Sequence, residues 1–166
     1  MKKNFKKVAS SDIKVGLKKR IYLANVRDID MEKFPAAVAG KIATSPLGED
    51  GKWVYVDCDT ITPSCGAGEV VYNGKKSIAV LCDGMNADRL EWIYANVGEE
   101  FIAVYVDQIS KKKIISGGPL GGLRMTYENL GIIDGKAGVA LKFDAPECPE
   151  PFYYYEGETP VEEDAV

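Results

Sequence analysis

The chain contains no histidine. That removes the Ser-His-Asp and Cys-His constellations, imidazole acid–base work near neutral pH, and the commonest zinc ligand. Its four cysteines, Cys58, Cys65, Cys82 and Cys148, have six, sixteen and sixty-five residues between neighbours, so there is no Cys-x-x-Cys pair. A structural zinc site needs such pairs, and the cysteines read instead as plain buried or surface thiols. Residues 117–122 (Gly-Gly-Pro-Leu-Gly-Gly) match a phosphate-cradling loop only in glycine count. No Lys-Ser or Lys-Thr follows, and the next segment has a strand pattern, so the stretch reads as a flexible β-connection. Asp57-Cys58-Asp59 looks like a fragment of a calcium loop, but the glycine and glutamate that such a loop needs further on are missing. Carboxylate pairs of the glycosidase kind are invisible in a linear reading, and nothing singles out two. Phe152-Tyr153-Tyr154-Tyr155 can serve as a stacking platform for sugars or bases. It reads better as an anchor that docks the C-terminal segment onto this or a neighbouring subunit, because aromatics supply large contact area at low entropy cost. No catalytic residue, metal or cofactor is expected.

The elements that would position these residues centre on one unit. In residues 86–98 the apolar Leu90, Ile93, Tyr94 and Val97 fall at i, i+3, i+4 and i+7, one face of a helix. Asn86 or Asp88 can cap its start, and Asn96-Val97-Gly98 supplies the stop. Residues 101–106 then run without a charge and are rich in β-branched and aromatic types; such a strand needs cover on both faces, and the helix can supply one.

Around this unit the sequence predicts strands at 20–26 and 53–56, and a short one at 41–44. Residues 57–68, with Pro63 and two glycines, read as a loop. Asn73-Gly74 between apolar runs at 69–72 and 75–81 predicts a type I′ hairpin. Residues 111–116 return as an antiparallel strand whose lysines mark an exposed rim. A last pair, 123–132 and 137–143, meets around Asp134-Gly135, with Val139, Leu141 and Phe143 pointing inward. Seven or eight strands and one helix predict a mostly antiparallel β-sandwich or small barrel.

At 166 residues, with 46% hydrophobic and 28% charged content, this reads as one ordinary soluble domain. No run of 18 apolar residues predicts a membrane span, and the N-terminal lysines lack the apolar stretch of an export signal. Net charge is −4, but unevenly placed: +7 over residues 1–20 and −8 over 144–166. The expected organisation is a flexible basic arm (1–19), a β-rich domain (20–144) and an acidic, aromatic-containing tail (145–166). Such ends are either solvated or complementary assembly arms that steer one subunit onto the next. The candidate assembly contacts are Lys2, Lys3, Lys6, Lys7, Lys18, Lys19 and Arg20 at one end, and Tyr153, Tyr154, Tyr155, Glu162, Glu163 and Asp164 at the other.

Three features occur in an order that resembles tail-tube-type structural proteins of tailed bacteriophages and their prophage relatives in gut Bacteroidales. They are the early strand with the acidic turn 28–30 and Phe34-Pro35, the helix–strand–turn–basic strand of 88–116, and the connection 134–138 into the final strand 139–143. The resemblance implies a virion tail protein, made in the host cytoplasm, with no active site and no small-molecule substrate. It would form rings, expected to be hexameric, by joining sheets edge to edge, and stack with other tail proteins into a conduit through which DNA passes unbound. Two readings stand beside it: a β-rich module of a gut bacterium that binds carbohydrate or protein through Trp53, Tyr55 and Tyr153–Tyr155, and an enzyme using carboxylates or a thiolate.

Overall fold

The computed structural model describes residues 4–5, 19–66, 75–107, 110–133, 136–145 and 152–161. In chain order the elements are β1 (Lys19–Asn25), β2 (Lys41–Ile42), β3 (Val54–Cys58), β4 (Thr60–Gly66), β5 (Lys75–Asp83), α1 (Ala87–Asn96), β6 (Glu100–Val106), β7 (Lys113–Ser116), β8 (Leu123–Ile133), β9 (Lys136–Ala145) and β10 (Tyr153–Tyr155). Short 3-10 turns at Val26–Asp28 and Met31–Lys33 follow β1. The fold is mainly β with one helix, as the sequence predicts.

The uncharged β6 is covered on both faces. Phe101, Ala103 and Tyr105 pack in one cluster with Trp92 and Ile93 of α1 and with Ile21, Leu23 and Val56. Ile102 and Val104 enter a second cluster with Trp53, Ile42, Ile115 and Tyr155. Along one edge, β6 pairs antiparallel with β1, and β1 with β3. Along the other edge lie β7 and then β8, with residues 117–122 between them. Here Gly118 and Gly121 exchange backbone hydrogen bonds of 3.0 Å. The flanking positions require glycine: Gly117 has φ +99°, and a Cβ at Gly122 would lie 2.9 Å from the Phe101 carbonyl oxygen.

From β8 the sheet continues through β9 and β5 to β4, and from β7 through β10 to β2, the β10–β2 pair being parallel. The result is a mixed sheet that is not closed into a barrel. β4 pairs with β5 along its whole length, whereas β3, which directly precedes it, pairs with β1, so the chain changes partner at Asp59. Asp59 N–H donates to the Leu81 carbonyl, and the Asp59 carboxylate accepts from Asp83 N–H.

Four local expectations are corrected. Residues 60–66 are not loop but β4, because Pro63, which cannot donate to a ladder, is tolerated on an edge strand. The buried face of α1 is Arg89, Trp92 and Ile93; Tyr94 and Val97 are exposed, and Tyr94 packs edge-to-face on Tyr127 instead. Strand β7 is not a rim, since β10 pairs with its outer side; only Lys111 and Lys112, just before it, are exposed. The described residues form ten strands, β10 coming from the segment expected to be tail. The helix cap falls where expected, with Asn86 Oδ1 accepting from Arg89 N–H at 2.9 Å. The apolar run 69–72 and the Asn73-Gly74 and Asp134-Gly135 turns lie outside the described residues. No described helix is long and apolar enough to cross a membrane.

Candidate functional site

The outer edge of β3 is where a distant piece of chain joins the sheet. Phe5 forms a parallel bridge to Val56: its N–H donates to the Tyr55 carbonyl and its carbonyl accepts from Asp57 N–H, each at 2.8 Å. Asn4 Oδ1 accepts from Tyr55 N–H at 3.0 Å. The Phe5 side chain is 1% exposed and lies under α1. Helical spacing sets Arg89 and Trp92 one turn apart on the face that roofs it. Trp92 meets the Phe5 ring edge-to-face at 5.2 Å, and the Arg89 guanidinium carbon sits 4.3 Å from the ring centroid.

Arg89 is itself buried. It donates to the carbonyls of Asp83 and Gly84 at 2.6 and 2.7 Å, which fixes its plane against the ring. Burial lowers its pKa, opposed by nearby groups that include Asp59, Asp57 and Asp83. On the other side of β3, Arg20 Nε donates to Asp57 Oδ1 at 2.7 Å, and its guanidinium carbon lies 3.8 Å from the Tyr55 ring centroid. Two thiols sit in the core beside this strand. Burial, with Asp59 and Asp57 adding to it, pushes Cys58 up to about 12, and burial raises Cys82 well above the usual thiol range. Both remain protonated near neutral pH, so neither is an activated nucleophile.

Trp92 joins this socket to an adjoining cleft of about 330 Å³ between α1 and the β1–β3 pair. Leu23, Val54 and Phe101 give the cleft its apolar lining; Asp28, Lys52 and Glu91 contribute its charged groups. Among the described residues, no group of three or more His, Cys, Asp or Glu side chains is placed to hold a metal ion.

Of the assembly contacts expected from sequence, Lys2, Lys3, Lys6, Lys7, Lys18, Glu162, Glu163 and Asp164 lie outside the described residues. Lys19 and Arg20 open β1, opposite Cys58 and Asp57. Tyr153–Tyr155 form β10 on their own chain, between β7 and β2. Tyr155 is buried edge-to-face on Trp53 at 6.1 Å, while Tyr154 is exposed. Trp53, Tyr55 and the tyrosine run therefore do not make one stacking platform: two are buried together and Tyr55 is covered by Arg20. The sequence reading missed Phe5, Arg89 and Trp92. The available signal was slight: Phe5 is the one aromatic in the first twenty residues. No protein-family model matches this chain, and no curated protein or solved structure matches it.

Proposed function

We propose that the chain is a virion structural protein of the tail-tube type, which self-assembles into rings that stack into a conduit for DNA. The observation that carries this reading is the contrast between two of the sheet's outer edges, β4 and β3. The β4 edge contains Pro63, a residue that blunts edge-to-edge pairing, whereas the β3 edge takes an added strand segment from the chain terminus. An edge that is extended by strand addition is a surface on which subunits can be joined. The order of β1, the acidic turns, α1, β6, β7 and the final hairpin strand β9 adds the resemblance described above. The partners are copies of this chain and other tail proteins, and the site of action is the virion tail after assembly in the host cytoplasm. A net charge of −4 avoids trapping DNA through its phosphates. The proposal assigns no catalysis, cofactor or small-molecule substrate.

The test is mass in solution across concentration by light scattering, with negative-stain images of the same samples. Rings or tubes that appear as concentration rises are the expected result; a monomer at every concentration counts against it. The cleft beside Trp92 favours a second reading, a binding module, since its volume is in the range of small-ligand sites. A monomer whose melting temperature rises with a carbohydrate or peptide would select that reading.

A further inference from the structure

The space between the β3 edge and α1 has the form of a strand-addition site: main-chain hydrogen bonds hold an extended segment, and a pocket takes one side chain. In this chain the segment is Asn4–Phe5 and the pocket is roofed by Arg89 and Trp92.

The attachment is local, while the connection behind it is long. Residues 6–18 separate Phe5 from Lys19. Phe5 faces Val56 on one edge of β3, and Lys19 faces Cys58 on the other. Those points are roughly 10 Å apart, two strand spacings, whereas thirteen residues can reach about 45 Å. The connection is therefore long enough to deliver Phe5 to a neighbouring molecule. Charge fits the same occupant: Lys2, Lys3, Lys6 and Lys7 flank Phe5 in sequence, and the cleft that Trp92 shares with the socket carries Asp28 and Glu91 against the one Lys52.

We infer that, in the assembled protein, the socket between β3 and α1 is filled by Asn4–Phe5 of a second copy, each chain giving its arm to the next. This rests on the self-assembly proposed above. The contacts are the same whichever copy supplies the arm, so concentration sets the balance between the closed monomer and the exchanged form. Donor and socket are different surfaces, which makes the contact heterologous; it propagates head to tail and either closes into a ring or extends as a filament.

The experiment uses equal amounts of full-length chain grown on light and heavy nitrogen, mixed before concentration and treated with a lysine-specific cross-linker. Cross-links joining Lys3 or Lys6 to Lys52 are read by mass spectrometry, with assembly followed by light scattering. Light–heavy pairs that increase as assembly increases are expected. Pairs of one isotope only, in samples that do assemble, would overturn the exchange and leave self-assembly standing. A chain that stays monomeric throughout overturns both.

Discussion

Asn4–Phe5 near one end of the chain and Tyr153–Tyr155 near the other both lie on the sheet, but they are held differently. The C-terminal segment lies inside the structure: β10 is paired on both sides, by β7 and β2, and beyond it Trp53 N–H donates to the Pro160 carbonyl. Tyr155 is buried on Trp53, its hydroxyl donates to the Glu158 carbonyl at 2.9 Å, and Lys113 Nζ donates to the Gly157 carbonyl at 2.6 Å. Among the described residues, the N-terminal segment is held along one outer edge, by the Phe5 bridge, the Asn4 side chain on Tyr55 N–H and one buried ring. A segment fixed from several directions is part of the fold; a segment fixed along one outer edge can leave and return without unfolding the rest. That difference is why exchange is assigned to Phe5 and not to the tyrosines.

The comparison can be broken by stability measurements. Tyr155→Ala empties a position against Trp53 and leaves the Glu158 carbonyl without its donor. It should cost about 3–5 kcal/mol in urea unfolding, the range for removing a large buried aromatic. Phe5→Ala should cost about 2–3 kcal/mol in the monomer, because the vacated space adjoins an open cleft and can be filled by solvent. If Phe5→Ala proves as costly as Tyr155→Ala, the arm is as integral as β10 and the distinction fails.

The sequence made the elements more legible than their partners. Residues 101–106 and the segment around Asn86 were readable because an uncharged β-branched run and a capped apolar periodicity each require local structure. Apolar spacing turns the face of α1 toward Leu90, Ile93, Tyr94 and Val97, whereas Arg89 and Trp92 are buried with Ile93. The Arg89 guanidinium is buried by stacking on Phe5 and by the Asp83 and Gly84 carbonyls, none of which helical spacing can announce. Strand β4 was hidden by Pro63, whose effect depends on whether a strand is central or at an edge. The socket was out of reach for a further reason. It joins residues more than eighty positions apart, and a lone phenylalanine among lysines has no periodic partner to mark it.

Alkaline pH offers a finer separation of the two ends. The Cys58 thiol is raised by burial from an ordinary value of 9.0 to about 12, so the folded state holds this proton more tightly than the unfolded chain. Its contribution to stability is complete below pH 9 and is lost as pH rises from there toward 12. Tyr155 is also raised by burial, from an ordinary value of 10.0, so its loss begins about a unit higher. The β3 side should therefore loosen first. In amide exchange across pH 8.5–10.5, after correction for intrinsic rates, protection at Asp57 N–H should fall before protection at Tyr154 N–H. Cys58→Ala should delay the fall at Asp57. Simultaneous loss at both amides would mean that the two ends belong to one cooperative unit.

The smallest effect expected is at the ion pair between Lys41 and Glu156, where β2 meets the end of β10. The contact is short, 2.8 Å, yet both side chains are about half exposed. Attraction between exposed charges is screened by water and salt, and ordering two long side chains opposes it. The same junction already has Tyr154 N–H donating to the Gly40 carbonyl and Glu156 N–H to the Ile42 carbonyl, at 3.0 and 2.9 Å. Lys41→Ala should therefore leave the thermal midpoint within experimental error at both low and high salt. A fall of several degrees, largest at low salt, would show that the C-terminal segment depends on this single charged contact. Its attachment would then resemble that of Phe5 more closely than the backbone pairing implies.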